Sequence, residues 1–446
     1  MKHKIQLSDH FTYGRLFRFT LPSIAMMVFT SIYGVVDGFF VSNFAGKTPF
    51  AAVNLIFPLL MILSTVGFMF GTGGSAIVAR VLGQQDREKA NRYFSLFVYV
   101  SFALGVLFAA LGILFIRPIA TILGAEGEML QNAALYARII LLALPFNVLQ
   151  LLFQSFFVTA EKPQLGFIVT LSAGITNMLL DAVLVMALPH PHKLAGAAVA
   201  TAMSQVVGGS IPLFYFFRKN DSLLRLGKTQ FDGKAIGKAC INGSSEFMSN
   251  ISMNIVGMLY NLQLLKYAGE NGIAAYGVMM YVSFIFAAVF LGYSMGTAPV
   301  VGFHYGAQNH RELKSLLRKS LIITGALGTI MLLAGQGLAT PLAKIFVGYD
   351  QQLTTLTVSG FRIFALCFPF MGFAIFGSGF FTALSDGLTS AIISFLRTVV
   401  FQIAAVLLLP LIFDINGIWF SIVVAEIMAV FFSTVFLIAK QKKYHY

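Results

Sequence analysis

Twelve long apolar stretches constrain this chain more than any other feature of its sequence. A helix needs about 20 mostly apolar residues to cross the hydrocarbon core of a membrane. We expect membrane spans over roughly 15–41, 50–79, 93–116, 129–158, 164–188, 195–217, 236–265, 273–303, 317–338, 354–383, 388–412 and 417–439. Of the 446 residues, 58% are hydrophobic and only 11% are charged, whereas soluble domains carry about 25% charged residues. The composition therefore excludes a soluble enzyme, a secreted disulfide scaffold and a disordered protein.

The distribution of basic residues predicts the orientation of the spans. If the amino terminus is cytoplasmic, 22 of the 30 Lys and Arg residues fall in inner segments and 5 in outer ones. Such an excess on the cytoplasmic side is typical of inner-membrane proteins. We therefore expect a multi-pass protein of the cytoplasmic membrane with both termini inside, and the net charge of +13 needs no nucleic-acid partner.

The two halves of the chain repeat each other. The matching positions are Gly73 with Gly296, Gly83-Gln84-Gln85 with Gly306-Ala307-Gln308, and Pro145-Phe146 with Pro369-Phe370. Because each half holds six spans, both halves enter the membrane from the same side, as in parallel repeats. The sequence predicts an all-α membrane protein with an N-lobe over 1–217, a cytoplasmic linker over 218–235 and a C-lobe over 236–446, related by pseudo-two-fold symmetry along the membrane normal.

Four acidic residues fall well inside the spans: Asp37, Asp181, Glu246 and Glu426. A charge in the bilayer interior costs about 2.5–3.5 kcal/mol on insertion scales, so each one suggests a function. Three arginines also lie within spans, at 138, 362 and 397. For Arg138 and Arg362 we favour anchoring to backbone or lipid headgroups over contact with a substrate.

Asp181 has polar neighbours that suit a cation. Asn177 lies four residues earlier on the same helix face, Thr201 lies on the next span, and Asp37 lies on the first. Carboxylate, amide and hydroxyl oxygens suit a proton or Na⁺, with Asp37, Asp181 and Thr201 as the Na⁺ ligands. The residues alone leave two interpretations open, a cation site or an acid that fixes helix packing.

Two residues on the first span suggest gating. Pro22 removes a backbone hydrogen bond and can bend the helix, and Tyr33 lies one turn before Asp37. A bend that responds to the charge at Asp37 would link ion binding to the shape of a cavity, whereas a static kink would not.

The motifs of common enzymes are missing from the sequence. Gly46-Lys47-Thr48 and Gly227-Lys228-Thr229 end like phosphate loops, but positions 41 and 222 are Val and Ser instead of the required glycine. Neither HExxH nor G-x-S-x-G occurs. We therefore expect no enzymatic activity and no cofactor.

The chain resembles the multidrug and toxic compound extrusion (MATE) family, and most closely its DinF-like and MepA-like bacterial branch. The resemblance is carried by Tyr33-Gly-Val-Val-Asp37-Gly-Phe-Phe-Val41, by Gly83-Gln-Gln-Asp86 with its repeat Gly306-Ala-Gln-Asn309, and by Gly196-Ala-Ala-Val-Ala-Thr201. It implies an N-lobe cation site formed by Asp37, Asn177, Asp181 and Thr201, and a bend at Pro22. A second branch uses C-lobe acids on the seventh and tenth spans. Here Glu246 lies on the seventh span, but residues 354–383 contain no acid, so Glu246 is assigned to the substrate cavity or its gating.

The resemblance implies an antiporter that exports amphipathic, often cationic, organic compounds by alternating access. Inward movement of H⁺ or Na⁺ would drive it, and the protein would act as a monomer with small molecules and the lipid bilayer as its partners. The alternative is a lipid-linked oligosaccharide or lipid flippase of the same superfamily. An ion channel and a membrane enzyme are less favoured, because no filter-like loop or catalytic constellation is evident.

Overall fold

The chain forms a bundle of long helices in a computed structural model that describes residues 5–40, 47–189 and 192–446, except for the side chains of residues 35, 37–40, 47 and 254. The helices are α1 (Tyr13–Phe40), α2 (Lys47–Gly83), α3 (Arg87–Ile122), α4 (Gly127–Thr159), α5 (Pro163–Leu180), α6 (Lys193–Phe217), α7 (Gly233–Gly306), α8 (His310–Val347), α9 (Gln351–Phe364), α10 (Phe368–Ala383), α11 (Gly387–Phe395), α12 (Gln402–Leu408) and α13 (Pro410–Tyr444). No strand occurs among the described residues. The all-α fold class is confirmed.

Within the described residues, eleven continuous helical stretches are long and apolar enough to cross a membrane. The longest, α7, has 74 residues and breaks at Gly269, where φ is +62° and ψ is −151°. Only glycine adopts this backbone conformation readily. The rings of Tyr260 and Tyr276 stack on either side of the break, with centroids 5.2 Å apart, so the chain folds back on itself there. Counting α7 twice gives twelve crossings, as the sequence predicted.

The eleventh and twelfth spans separate at Asp414, where φ is +48° and ψ is −134°. Before this break the backbone stays helical, because Leu409 has α-helical angles and the Phe413 N–H donates to the Leu409 carbonyl oxygen at 3.0 Å. The break lies between the predicted spans 388–412 and 417–439, in agreement with the sequence.

Apolar clusters show where the two lobes pack together. One cluster lies within residues 52–198 of the N-lobe and another within residues 256–423 of the C-lobe. A third joins residues 7–24 and Val158 to residues 293–446. This shared cluster lies at the end of the bundle that holds both termini, which we call the termini face. The lobes therefore share apolar contacts at the termini face and have separate cores toward the opposite end.

Two glycines of the repeated motif allow α2 and α7 to meet at the termini face. A Cβ atom added to Gly83 would lie 2.0 Å from the Phe303 carbonyl oxygen, and one added to Gly306 would lie 2.0 Å from the Arg80 carbonyl oxygen. With a larger residue at either position, the backbones of α2 and α7 could not approach each other so closely. The repeat recognised in the sequence is thus also a contact between the lobes.

The segment 5–12 connects both lobes across the termini face. The backbone N–H of Leu7 donates to Glu161 Oε1 in the N-lobe at 2.7 Å. The backbone N–H of Phe11 donates to Glu312 Oε1 in the C-lobe at 2.9 Å, and His10 Nδ1 lies 2.6 Å from Glu312 Oε2. Leu7 and Phe11 are fully buried. These contacts add to the closure of this face.

A carboxylate joins the C-terminal segment to the α10–α11 turn. Asp386 accepts hydrogen bonds from the Thr389 backbone N–H at 3.3 Å and from Tyr444 Oη at 2.7 Å. Burial acts to raise the pKa of Asp386, but these hydrogen bonds outweigh it and hold the pKa below its ordinary value. A lowered pKa in the folded state means that the stabilisation is present above the unfolded-state pKa and is lost as the pH falls through the folded-state value.

We therefore expect Asp386→Ala to lower the free energy of unfolding by about 1–2 kcal/mol at pH 7, through the lost helix cap and hydrogen bonds. The difference between the variant and the wild type should shrink as the pH falls below about 4, where the unfolded-state carboxyl becomes protonated. Thermal unfolding in detergent across a pH series measures both effects. If the variant and the wild type differed by the same free energy of unfolding at pH 7 and at pH 3, the ionised carboxylate would contribute nothing to stability.

Candidate functional site

Three of the four predicted cation ligands lie at the contact between α5 and α6. Asn177 and Asp181 are one helical turn apart, and Asn177 Nδ2 donates a hydrogen bond to Thr201 Oγ1 on α6 at 3.4 Å. Asp181 is fully buried. The Oδ1 atom of Asn177 is also buried and has no hydrogen-bond partner among the described residues. This group of side chains presents buried oxygen atoms, one of them on a carboxylate, in the membrane-spanning part of the N-lobe.

The backbone at Asp181 is not an ordinary α-helix. α5 ends at Leu180, and residues Asp181–Val185 continue as a π-helical turn. Such turns are rare and occur often at functional sites, because the wider turn displaces side chains and loosens the hydrogen-bond ladder. Asp181 opens this turn and so lies where the helix departs from regular geometry.

Helix α1 packs along α5 and brings the first span to this group. α1 runs without interruption from Tyr13 to Phe40, through Pro22. A Cβ atom added to Gly174 of α5 would lie 3.1 Å from Tyr33 Cδ1, which places Tyr33 about one turn from Asn177. The backbone of α1 also contacts the π-helical turn. The side chain of Asp37 lies outside the described residues, so its membership of the site stays a prediction.

The C-lobe holds an ion pair that the sequence reasoning missed. Arg397 Nε lies 3.0 Å and 2.9 Å from the two carboxylate oxygens of Glu426, and Nη2 lies 2.8 Å from Oε1. The Glu426 side chain is fully buried and that of Arg397 is 16% exposed. Arg397 lies in a second π-helical stretch, Leu396–Phe401, on the fifth crossing of its lobe. Asp181 opens a π-helical turn on the fifth crossing of the other lobe.

A signal for this pair was available in the sequence. Arg397 and Glu426 lie on consecutive spans, and two opposite charges inside a membrane are expected to pair. Their positions have no counterpart at the repeat offset, so comparing the halves did not reveal them. Arg138 and Arg362 differ from Arg397, because both are exposed on their helices, as anchoring residues would be.

Glu246 lies with this ion pair around one C-lobe cavity. Glu246, Arg397 and Glu426 all line it, together with Tyr260 and residues of α10. Glu246 is predicted from the sequence to belong to the substrate cavity or its gating, whereas Glu426 has no predicted role. The tenth span indeed contributes no acid, and the second C-lobe carboxylate comes from α13 instead.

Comparison with known protein families identifies the chain. The family model described as MatE matches residues 22–183 and again residues 247–408. The chain belongs to the MatE family. The two matches have the same spacing, to within two residues, as the repeated motifs, so the two halves of this MatE protein are equivalent units. The resemblance found in the sequence is confirmed.

Several relatives and solved structures extend the match to nearly the whole chain. The multidrug export protein MepA of Staphylococcus haemolyticus is 26% identical over 420 residues, which cover 93% of this chain and 91% of the relative. MepA of Staphylococcus aureus strain MRSA252 is 24% identical over 414 residues, covering 92% and 90%.

Among solved structures, MATE in complex with MaL6 superposes with a TM-score of 0.93 at 22% identity, covering 100% of this chain and 99% of the other. The outward-facing conformation of a multidrug resistance MATE transporter of the MOP superfamily gives the same values. The two-lobe membrane fold is confirmed, and membership of the MatE family points to a transporter rather than an enzyme.

Proposed function

We propose that this MatE protein is an ion-coupled antiporter that exports amphipathic, often cationic, organic compounds in exchange for H⁺ or Na⁺. The observation that supports it is the buried group of Asn177, Asp181 and Thr201 at a π-helical turn that α1 contacts. Asp37 completes the site in this proposal. The multidrug export activity named for the MepA relatives gives the class of substrate.

Two carboxylates on different helices can couple a small cation to a change of shape. In a low-dielectric interior two neighbouring carboxylates cannot both stay ionised without a cation or proton between them. Binding therefore draws α1 toward α5, and release lets them separate. If the organic substrate favours the conformation without the cation, each ligand shifts the equilibrium against the other.

The termini face is the cytoplasmic face in this proposal. The excess of basic residues at that end supports the assignment. Because the lobes share their apolar contacts at this face, the described conformation is closed toward the cytoplasm. We place this MatE protein in the cytoplasmic membrane with both termini inside. In the described conformation it would release substrate to the outside and take up the cation there.

The flippase alternative fits the C-lobe cavity less well. A carrier of lipid-linked pyrophosphates needs uncompensated positive charge along its substrate path. The guanidinium of Arg397 is already paired with the carboxylate of Glu426, and Glu246 lines the same cavity. The balance of charge in this cavity therefore favours a positive ligand over a phosphate.

Transport by purified protein in proteoliposomes tests the proposal. A fluorescent organic cation such as ethidium is placed in the vesicles, and a proton gradient or a sodium gradient is imposed separately. We expect ethidium to move against its own gradient under at least one of them, and an ionophore that collapses that gradient should stop the movement. Equal ethidium fluxes with and without either gradient would contradict ion coupling.

A further inference from the structure

The termini face contains a cavity of about 490 Å³ between α2, α3, α7 and the turn from α10 to α11. Its volume is within the range of roughly 300–1,000 Å³ that is common for small-molecule sites. Three helices begin beside it, α3 at Arg87, α7 at Gly233 and α11 at Gly387. The N-terminus of a helix carries a partial positive charge and attracts anions. This cavity shares no lining residue with the C-lobe cavity around Glu246.

The ionised side chains that line this cavity sum to three positive charges. Four cations and one carboxylate line it: Arg80, Lys89, Lys234, Lys238 and Asp232. The carboxylate is already engaged, because Asp232 Oδ1 accepts hydrogen bonds from the backbone N–H groups of Lys234 and Ala235. Arg80 lies 4.8 Å from the centre of the Tyr305 ring, a contact that leaves its charge uncompensated. None of the four cations forms an ion pair among the described residues.

The four cations come from opposite sides of the contact between α2 and α7. Arg80 lies in the last turn of α2 and Lys89 in the first turn of α3. Lys234 and Lys238 lie on the first two turns of α7. Closure of the termini face therefore brings like charges to one cavity, which is unfavourable without an anion between them. A bound anion removes this repulsion and links the two sides.

Two polar side chains on the wall indicate a ligand that both accepts and donates hydrogen bonds. Asn242 and Ser385 line the cavity, and Asn242 is only 2% exposed. Asn242 Oδ1 and Ser385 Oγ are buried and have no hydrogen-bond partner among the described residues. Buried polar groups are nearly always paired with protein, water or ligand. The Ser385 hydroxyl can donate to a phosphate, and Asn242 Oδ1 can accept from a hydroxyl group.

The surroundings of the cavity favour a membrane lipid over a soluble anion. Ile241 lines the cavity and is 58% exposed, and Leu388, next to the lining residue Gly387, is 67% exposed. Exposed apolar side chains that adjoin one another mark contact with a membrane, and basic pockets between membrane helices on the cytoplasmic side bind anionic lipid headgroups. Because the cavity lies at helix ends, it receives a headgroup and provides no path across the bilayer.

We propose that this cavity binds the headgroup of an anionic phospholipid of the cytoplasmic leaflet, one that carries a phosphate and a hydroxyl group as phosphatidylglycerol does. The phosphate lies between the two cations of α2 and α3 and the two cations of α7. The headgroup hydroxyl donates to Asn242 Oδ1. The bound lipid thus links α2 and α3 to α7 and stabilises the closed termini face.

Native mass spectrometry of the purified full-length protein in a neutral detergent counts bound lipids and measures the affinity of the first one. We expect dioleoyl phosphatidylglycerol to bind at least about tenfold more tightly than dioleoyl phosphatidylcholine, which has the same acyl chains and no net charge. Inorganic phosphate, added at constant ionic strength, should not displace the lipid. Equal affinity for the two lipids, or full displacement by inorganic phosphate, would overturn the proposal.

Charge variants separate a built site from general attraction to a basic surface. Lys234→Gln/Lys238→Gln removes two exposed charges that line the cavity. Each basic residue beside an anionic lipid contributes about fivefold to the affinity, so this variant should bind dioleoyl phosphatidylglycerol about 25-fold more weakly. Lys228→Gln/Lys442→Gln removes two exposed charges of the same face that do not line the cavity, and it should bind like the wild type. Equal losses in both variants would overturn the proposal.

Spin-label distances across the termini face, measured in lipid nanodiscs, test the effect on closure. We expect the closed distances to be more populated in dioleoyl phosphatidylglycerol than in dioleoyl phosphatidylcholine, and Lys234→Gln/Lys238→Gln should remove this difference. Identical wild-type distances in the two lipids would overturn the linking role. Because no ion gradient enters either measurement, the results do not depend on whether the N-lobe site couples transport to H⁺ or Na⁺.

Discussion

Replacing Asp181 with asparagine is expected to abolish gradient-driven export while leaving the protein folded. Asparagine has the same shape, so the packing of α5 against α6 should persist. It lacks the negative charge that binds the cation, and losing one charge of a buried pair costs about 3–5 kcal/mol, or roughly 10²- to 5 × 10³-fold. Removing a buried charge also removes a desolvation cost, so thermal unfolding should occur at the wild-type temperature or above.

The measurement is export of ethidium from proteoliposomes under the gradient that drives the wild type. Glu128→Gln, which removes an exposed acid outside the site, is the matched control and should transport normally. Asp37→Asn should reproduce the loss, because the proposed site includes both carboxylates. Full transport by correctly inserted Asp181→Asn protein would show that Asp181 only fixes helix packing.

Gly306→Ala is expected to prevent closure of the termini face. The added Cβ would lie 2.0 Å from the Arg80 carbonyl oxygen, and a backbone atom cannot rotate out of the way as a side chain can. Overpacking of this kind costs about 1–3 kcal/mol, which corresponds to a 5- to 150-fold shift between conformations. The lobes should separate at this face, and export should fall by about tenfold or more, since a carrier that cannot close cannot complete its cycle.

Spin-label distances across the termini face measure this shift, for instance between labels on the exposed N-terminal ends of α3 and α8. Gly337→Ala on α8 is the matched control, because no atom lies within 4 Å of its added Cβ. That variant should keep the wild-type distances and gain slightly in helix stability, since alanine favours the helix over glycine. Unchanged distances in Gly306→Ala would mean that the close approach of α2 and α7 does not hold the face shut.

The membrane spans and the repeat could be predicted because they depend on features that sequence displays directly. Apolar length marks each crossing, and the Gly83 and Gly306 motifs recur at a constant offset. The breaks at Gly269 and Asp414 both lie where the sequence separated two spans. The π-helical stretches at Asp181–Val185 and Leu396–Phe401 lie inside apolar runs that gave no sign of them.

The candidate sites show where sequence reasoning stops. The four-residue spacing of Asn177 and Asp181 fixes a common helix face, which is a local property. The contact with Thr201 joins different helices, and the family resemblance supplied it. Arg397 and Glu426 pair across two spans at positions with no repeat counterpart, so neither periodicity nor symmetry singled them out. Only their charge inside the membrane pointed to a partner.

The separation between the carboxylate groups of Asp37 and Asp181 tests the central claim most directly. An experimental structure of the protein in lipid nanodiscs, determined at high sodium and low pH, can measure it. We predict that the two carboxylates lie within about 6 Å of each other, the range over which one cation or proton serves both. An Asp37 carboxylate that faces the lipid acyl chains, well away from Asp181, would contradict the account.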